Sequence, residues 1–299
     1  MTNFRRENLG KGYGMHKSAK IKEIVQETEN VKTFILDFES DSKPGQFVEL
    51  WIPRVDEKPM SIAYSDGKEL WVTVFKKGPF SSALHEKKVG DLLGVRGPFG
   101  THYTWEPGQR LVMMAGGYGA APLYFLTQMA LNDGCKVDFV LGARDKENLL
   151  YVERLKALDG VELNIATDDG SEGHKGYNTE VLEKLIGEAR EGKGFKVICE
   201  GNTCRREEVT VDPIDKVYSC GPEMMMKKVS DMCFEAGITA EVSVERYMKC
   251  GHGVCGQCSV DESGHRMCVE GPVVDNETAR KIKEFGSYHR DSMGKIHNF

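Results

Sequence analysis

The sequence predicts three successive structural units: an antiparallel β-barrel, an α/β domain built on a parallel sheet, and a small C-terminal domain that contains four cysteines. Three observations predict this order. Short apolar segments separated by turn residues fill the first third of the 299 residues, apolar and helical segments alternate in the middle, and cysteines cluster near the end. We expect an N-terminal arm at 1–18, the barrel at 19–107, the α/β domain at 108–237, and the cysteine domain with its tail at 238–299.

The barrel is predicted from its short strands and their turn signals. Val-, Ile- and Phe-rich segments bounded by Gly and Pro are typical of antiparallel strands, and several of them at short spacing favour a barrel. Strands are predicted at 21–25, 31–38, 47–52, 69–75 and 92–95, with one helix at 81–88.

The α/β domain is predicted from a regular alternation, which indicates βαβ units and a parallel sheet. Strands are predicted at 111–115, 137–141, 162–167 and 216–219, and helices at 122–131, 149–158, 179–186 and 223–236. A hairpin insert at about 195–211 interrupts this pattern and carries Cys199 and Cys204. This insert is either an extra thiol or metal site or a solvent-facing hairpin with incidental cysteines, and the hairpin is favoured because two cysteines cannot complete a metal site alone.

Composition and charge exclude several classes of function. The net charge of −6 argues against nucleic acid as a partner. No apolar segment approaches the ~18 residues that a membrane-spanning helix needs. Residues 1–14 contain Arg5 and Arg6 without the apolar stretch of a signal peptide, so nine cysteines indicate a reducing, cytoplasmic location.

The strongest motif is formed by Cys250, Cys255, Cys258 and Cys268. Its spacing is C-x4-C-x2-C, followed after nine intervening residues by the fourth cysteine. This is the plant-type spacing of a [2Fe–2S] cluster, which carries one electron. Structural zinc is the main alternative, although zinc sites usually have two C-x2-C pairs and only one is present here. Unliganded thiols are the third interpretation.

Two glycine-containing turns follow predicted strands of the α/β domain, where nucleotides bind. The first contains Gly116, Gly117, Gly119, Ala121 and Pro122 and leads into a helix whose N-terminus favours phosphate. A tight packing turn is its structural alternative. The second is Cys220-Gly221-Pro222, where Cys220 either lines a nicotinamide pocket or is a small buried apolar residue.

A third loop, Thr167-Asp168-Asp169, also follows a strand. Its aspartates could form an acid/base pair. A ribose-contacting or turn-forming loop is favoured, because no catalytic histidine or metal-ligand spacing accompanies them. Arg144 and Asp145 follow another strand, and they favour NADP and NAD, respectively.

In the barrel, two short segments combine turn residues with groups that bind phosphate. Lys58-Pro59-Met60-Ser61 supplies a cation and a hydroxyl that could contact a flavin. Gly78-Pro79-Phe80-Ser81-Ser82 precedes a helix and could offer N–H groups to a diphosphate. Alone, each segment would be an ordinary turn.

Taken in order, these motifs resemble the ferredoxin–NADP reductase superfamily, and more closely the electron-transfer subunits of class 1B dihydroorotate dehydrogenases. The matching segments are 58–61, 78–81, 97–100, 116–123, 220–222, 250–258 and 268–273. Lys58 stands where the family has arginine, and Ser81 where it has threonine. Lysine cannot make the bidentate phosphate contact of arginine. The hairpin insert and the tail beyond residue 275 lie outside the family pattern.

The resemblance implies FAD in the barrel, with flavin contacts that include Val74, Phe75 and Lys76, and NAD(H) on the α/β domain. It also implies a [2Fe–2S] cluster and a redox partner, most closely an FMN-containing dehydrogenase of pyrimidine biosynthesis. No side chain is expected to act as a catalytic acid or base, because flavin itself couples two-electron and one-electron chemistry. Two other candidate functions involve the same cofactors: the small subunit of NADH-dependent ferredoxin:NADP oxidoreductase and a sulfhydrogenase γ-type subunit. A zinc-binding, nucleotide-sensing module is the alternative of another class.

Overall fold

The computed structural model describes residues 14–200 and 203–299. In this part of the chain a closed barrel is followed by a helix-flanked parallel sheet and an irregular C-terminal region that carries the four cysteines. The predicted fold class is confirmed. Residues 1–13 of the predicted arm lie outside the described residues, and the first strand begins at Lys17. No helix among the described residues is long and apolar enough to cross a bilayer.

The barrel consists of six antiparallel strands and one short helix. They are β1 (Lys17–Thr28), β2 (Val31–Asp37), β3 (Phe47–Ile52), β4 (Asp56–Ser65), β5 (Glu69–Phe75), α1 (Pro79–His85) and β6 (Leu92–Phe99). The strands close in the order β1-β2-β5-β4-β3-β6. Side chains such as Phe34, Leu50 and Leu70 fill the interior without solvent exposure, as a small barrel requires.

Strand β4 is the strand of the barrel that was not predicted from the sequence. Lys58, Pro59, Met60 and Ser61 would alone have been taken for an ordinary turn, yet they lie inside β4. There they pair with β3, and Lys58 opposes Leu50. All four side chains line a cavity and retain solvent access, although Met60 also packs against the core of the barrel. A strand that faces a cavity lacks the apolar alternation by which strands are recognised.

The second unit is a seven-stranded sheet with helices on both faces. Its elements and the insert are β7 (Arg110–Gly116), α2 (Ala120–Asn132), β8 (Lys136–Ala143), α3 (Val152–Lys156), β9 (Val161–Thr167), β10 (His174–Lys175), α4 (Asn178–Glu191), β11 (Lys193–Glu200), β12 (Thr203–Thr210), β13 (Lys216–Cys220), α5 (Glu223–Ala236), β14 (Thr239–Ser243) and β15 (Val273–Asp275). The strand order is β10-β9-β8-β7-β13-β14-β15, parallel except for β15. The predicted helix 149–158 is reduced to the five residues of α3.

Alternation along β7 divides the core of this unit in two. Leu111 and Met113 pack with α2 on one face, whereas Val112 and Met114 pack with α4 and α5 on the other. All are fully buried. A strand covered on both faces is apolar throughout, which explains why β7 was readily predicted from sequence.

The hairpin insert forms as predicted, because β11 and β12 pair only with each other among the described strands. Gly201, Asn202 and the side chains of Cys199 and Cys204 lie outside the described residues. The choice between a thiol site and incidental cysteines therefore remains a prediction.

Strand β14 belongs to the parallel sheet, although its residues were predicted to begin the cysteine domain. It pairs with β13, and β15 then adds antiparallel to it. The irregular segment between β14 and β15 holds the four cysteines. Helix α6 (Asn276–Lys281) and a terminal hairpin of β16 (Tyr288–Arg290) and β17 (Ile296–Asn298) complete the chain. Phe285 of the tail is buried in the same apolar cluster as Cys258 and Cys268.

Candidate cofactor cavity and cysteine centre

A cavity of about 580 Å³ lies where the barrel, the parallel sheet and the cysteine segment meet. Twelve of the predicted cofactor-binding residues line it: Lys58, Pro59, Met60, Ser61, Val74, Phe75, Phe80, Ser81, Gly119, Ala121, Pro122 and Cys220. These residues come from both predicted cofactor domains. The fold therefore brings the separate motifs together around one space of ligand size.

On the barrel side, Lys58 supplies a cation. Its ammonium group pairs with Asp56 at 2.7 Å and lies 5.1 Å from the ring centre of Tyr247. Burial acts to lower the pKa of Lys58, but the hydrogen bond to Asp56 and the nearby Tyr247 raise it. Lys58 thus stays protonated beside the cavity, and it can meet a phosphate as a point charge, without the planar contact of arginine.

The turn before α1 is organised by Ser81. Its hydroxyl accepts hydrogen bonds from the N–H groups of Lys77 and Gly78, both at 2.9 Å. These two N–H groups therefore already have a partner within the protein. Ser82, predicted to contact the same ligand, is not part of the cavity wall.

On the sheet side, the two glycine turns pack directly against each other. A Cβ atom on Gly119 would overlap the carbonyl of Cys220, and one on Gly221 would overlap the backbone of Gly116. These contacts support the packing interpretation of the first turn, and the binding of phosphate there remains a prediction. Close packing also sets the N-terminus of α2 at the cavity, where Gly119, Ala121 and Pro122 form part of the wall.

Three titratable side chains lie in the cavity wall: Tyr118, Cys220 and Glu245. Burial, followed by the charge of Glu245, raises the pKa of Cys220 to about 12. Glu245 has the main effect on Tyr118 and raises its pKa above the ordinary value. Glu245 is itself exposed to solvent, but the protein around its carboxyl group still desolvates it and raises its pKa.

Besides Ser82, eight predicted residues lie away from the cavity wall. Gly116, Gly117, Gly221 and Pro222 belong to the two packed turns, and Lys76 follows β5 on the surface. The loop with Thr167, Asp168 and Asp169 ends β9, away from the cavity. There the Thr167 hydroxyl donates to the Glu172 carbonyl at 2.8 Å and Asp169 accepts from Ser171. These contacts support the turn-forming interpretation and leave the ribose contact a prediction.

Sequence reasoning missed one whole wall of the cavity. It is formed by the connection after β14 and by scattered neighbours: Phe47, Thr73, Lys77, Tyr118, Ser243, Val244, Glu245, Arg246, Tyr247, Met248 and Pro272. The connection lies only a few residues before Cys250 in the sequence. That proximity was the one available signal that the cysteine segment reaches the cavity.

The four predicted cysteines are free thiols arranged as two pairs. Cys250 and Cys255 influence each other's titration, as do Cys258 and Cys268, and the backbone N–H of Cys268 donates to the Cys258 sulfur at 3.3 Å. Among the described residues, no three His, Cys, Asp or Glu side chains converge on a single metal position. A tetrahedral zinc site needs its ligands around one ion, whereas a two-iron cluster takes two thiolates on each iron. The paired arrangement fits the cluster.

The backbone around the cysteines favours thiolates. Burial raises the pKa of Cys250, but N–H groups of Cys255, His252 and Val254 outweigh this and bring it to about 6. The hydrogen bond between Cys258 and Cys268 is the main cause that lowers the pKa of Cys258 to about 7, and the same bond raises the pKa of Cys268. Thiolate is the form that binds iron, so these two sites are prepared for it.

Two arginines hold the cysteine loop from opposite sides. Arg96 of the barrel donates to the carbonyls of Cys250 at 2.9 Å and Lys249 at 3.3 Å. Arg266 donates to the carbonyl of Gly253 at 2.9 Å. The position of the loop is therefore fixed relative to the barrel as well as within its own domain.

Glu49 of β3 lies beside this contact. It is fully buried, and neither carboxylate oxygen has a hydrogen-bond partner among the described residues. Desolvation, with smaller effects from Glu57 and Cys250, raises its pKa to about 8. Glu49 is therefore largely protonated at neutral pH.

Comparison with known proteins identifies two domains. The model of the oxidoreductase NAD-binding domain matches residues 113–231, and that of the iron–sulfur cluster binding domain of dihydroorotate dehydrogenase B matches residues 245–279. The probable dihydroorotate dehydrogenase B (NAD(+)) electron transfer subunit of Methanocaldococcus jannaschii is 41% identical over 277 residues, covering 92% of this chain and 96% of the relative. The chain belongs to this family of electron transfer subunits.

A second relative and two solved structures are also similar to this chain. The corresponding protein of Methanothermobacter thermautotrophicus is 40% identical over 280 residues, which covers 92% of this chain and 95% of the relative. The structure of an NADH-dependent reduced ferredoxin-NADP oxidoreductase aligns with a TM-score of 0.72 at 28% identity, covering 87% of this chain and 88% of the other. A ferredoxin reductase of carbazole 1,9a-dioxygenase shares the fold alone, with a TM-score of 0.61, 18% identity and coverages of 75% and 66%.

Membership of the electron transfer subunit family confirms the predicted resemblance and the assignment as an oxidoreductase subunit. The NAD-binding and iron–sulfur domains confirm the corresponding cofactor predictions, and the matched iron–sulfur domain contains all four cysteines. The match to an iron–sulfur cluster binding domain favours the electron transfer subunit over the zinc-binding, nucleotide-sensing module. The individual contacts of each predicted residue remain predictions.

Proposed function

We propose that the chain relays electrons between NAD(H), FAD in the cavity and a [2Fe–2S] cluster on Cys250, Cys255, Cys258 and Cys268. It would serve an FMN-containing catalytic subunit that oxidises dihydroorotate in the cytoplasm. One observation carries the proposal: the cavity wall continues into the cluster loop. Tyr247 and Met248 line the cavity, and Cys250 follows two residues after Met248, within roughly 7 Å along an extended chain.

The cavity suits a flavin because of its shape and its charge. Phe75 of the barrel and Tyr118 of the glycine turn line it as a pair of nearly parallel aromatic rings, with ring centres 6.4 Å apart and planes 19° apart. Lys58 provides positive charge at one side, and the N-terminus of α2 provides partial positive charge at another. When bound there, FAD supplies the exchange between two-electron and one-electron chemistry.

The protein's own groups position the cofactors and do not transfer protons to a substrate. Cys220 lies at the carboxyl end of β13 with its pKa raised to about 12, so it remains a thiol at neutral pH. It can pack against a nicotinamide ring without competing as a nucleophile. This supports the expectation that the chain has no catalytic acid or base.

The cluster has an exposed side that a second subunit could approach. Cys255 is exposed, and its neighbour Val254 is 79% exposed. An exposed apolar side chain beside a redox ligand is suited to a protein contact that brings two redox centres close. We assign this side of the loop to the partner subunit.

Reconstitution tests the proposed function. The chain, purified without oxygen, is mixed with the FMN-containing dihydroorotate dehydrogenase subunit of the same organism, and NAD⁺ reduction by dihydroorotate is followed. We expect NAD⁺ reduction only when both proteins are present. NADH oxidation with an artificial acceptor should proceed with this chain alone. Absence of bound flavin in the anaerobic protein would contradict the proposal.

The second candidate is the small subunit of an NADH-dependent ferredoxin:NADP oxidoreductase, favoured by the alignment that covers 87% of the chain. Affinity capture of the tagged chain from its own organism distinguishes the two. Recovery of the FMN-containing dehydrogenase supports the first candidate, whereas recovery of a larger ferredoxin-dependent flavoprotein supports the second.

A further inference from the structure

A buried arrangement of three charged residues connects the cavity wall with the C-terminal tail. Arg246 lies between Glu223, the first residue of α5, and Glu284 of the tail. Its guanidinium makes two hydrogen bonds to Glu223, at 2.8 and 3.2 Å, and its Nε donates to Glu284 at 2.8 Å. We call these three residues the clamp.

The clamp is inaccessible to solvent. Side-chain exposure is 4% for Arg246, 6% for Glu223 and 1% for Glu284. One cation between two carboxylates leaves a net negative charge in a region of low dielectric, and such a group is maintained only with well-formed hydrogen bonds. Backbone N–H groups supply them: Asp261 donates to Glu284 at 2.7 Å and Gly286 donates to Glu223 at 3.0 Å.

The clamp joins parts of the molecule that are distant in sequence. Glu223 follows the Cys220 turn directly, and Asp261 belongs to the cysteine domain. Glu284 and Gly286 lie beyond residue 279, where the matched iron–sulfur domain ends. Arg246 itself stands between Glu245 and Tyr247 in the cavity wall, four residues before Cys250. The segment 245–250 is therefore anchored between the cavity and the cysteines.

We propose that Arg246 is a positioning residue, held by Glu223 and the tail residue Glu284, that fixes the cluster relative to the cavity. The tail would thus serve electron transfer by completing the clamp. This proposal rests on the proposed relay, because it concerns the step between a flavin in the cavity and the cluster. It assigns a role to tail residues that the family motifs do not cover.

The test uses Glu284→Gln in the full-length holoprotein, with Glu262→Gln as the matched control. Glu262 pairs with Lys283 in the same region, but both side chains are largely exposed. After anaerobic mixing with NADH, stopped-flow spectroscopy separates flavin reduction from cluster reduction. In Glu284→Gln we expect cluster reduction to slow at least about tenfold, since misplacement by about 1 Å can cost on the order of a hundredfold. Flavin reduction should remain at the wild-type rate.

Electron paramagnetic resonance of the reduced cluster provides the second measurement. A shifted cluster environment should change the spectrum of Glu284→Gln and leave that of Glu262→Gln unchanged. A wild-type rate of cluster reduction together with a wild-type spectrum in Glu284→Gln would overturn the proposal.

If Glu284→Gln does not fold, the triple variant Glu223→Gln, Arg246→Met, Glu284→Gln keeps the test decisive. It leaves no charge buried in the clamp, and uncharged replacements of buried ion pairs are commonly tolerated. Slow cluster reduction in this variant supports the proposal, and wild-type cluster reduction overturns it. Failure of the proposed relay itself is distinguishable, because the wild-type protein would then show no cluster reduction by NADH.

Discussion

At the scale of single residues, the charged groups around the cysteine loop have very different surroundings. Arg96 bonds Glu57 at 2.6 Å and two backbone carbonyls of the loop. Glu49, which opposes Arg96 in the register of β3 and β6, has no partner for its carboxylate among the described residues. A buried carboxylate without partners favours the protonated form, because desolvation penalises the charged one.

The raised pKa of Glu49 predicts a pH dependence of stability. Its folded pKa of about 8 exceeds the ordinary value of 4.5, so the folded protein binds a proton there that the unfolded chain releases. The stability from this group is fully present below pH 4.5 and is lost as pH rises through about 8. Relative to Glu49→Gln, the free energy of unfolding of the wild type should fall by up to about 1.4 kcal/mol per pH unit in this window.

Urea unfolding of both proteins across this pH window measures the difference. Glu57→Gln is a useful comparison, because hydrogen bonds from Arg96 and His16 lower the pKa of Glu57 despite its desolvation. A pH profile of Glu49→Gln that runs parallel to the wild type would show that Glu49 is ionised in the folded protein.

At the scale of elements, the two glycine turns illustrate how a nucleotide-binding motif also serves packing. Gly119 has an ordinary helical φ of −62°, so its need for glycine is not conformational. Its Cβ position is occupied by the carbonyl of Cys220. The turn after β7 and the turn after β13 can approach only because both lack side chains at the contact.

Gly119→Ala should therefore separate the two turns. We expect a loss of about 1–3 kcal/mol in stability, typical of overpacking, together with a raised KM for NADH. Gly187→Ala is the control, since a Cβ there meets nothing within 4 Å and α4 should gain about 0.5–1 kcal/mol. Thermal unfolding of the two variants measures the change in stability, and steady-state kinetics measures the KM for NADH. Unchanged stability and KM in Gly119→Ala would show that the turns can move apart freely.

At the scale of the whole molecule, the cavity and the cysteine loop form a continuous path from the nucleotide-binding sheet to an exposed surface. The barrel contributes Lys58, the sheet contributes Cys220, and the connection after β14 contributes Met248. That path ends at Val254 and Cys255, which are exposed. The arrangement lets one chain accept electrons at one side and deliver them at the other.

Val254→Asp should impair electron transfer from the cluster to the partner subunit without affecting the reduction of this chain by NADH. An unpaired carboxylate at a protein contact disfavours association, and a loss of about 1.4 kcal/mol corresponds to a tenfold weaker complex. We therefore expect transfer to the partner subunit to require about tenfold more partner, while NADH oxidation with an artificial acceptor is unchanged. Val89→Asp, at a 61% exposed position before β6, is the control. Equal behaviour of both variants would place the docking surface elsewhere.

The sequence by itself determined the features that depend on neighbouring residues. The spacing of the four cysteines, the glycine turns after apolar strands, and the buried strands such as β7 were predictable because local geometry and double-sided burial leave a clear pattern. The tertiary structure alone decided the rest. Strand β4 was concealed because it faces a cavity. Glu245–Met248 became a cavity wall, and Arg246 joined Glu284, only when segments far apart in the sequence packed together. Long-range packing and the burial of charge that follows from it leave no periodic signal in the sequence.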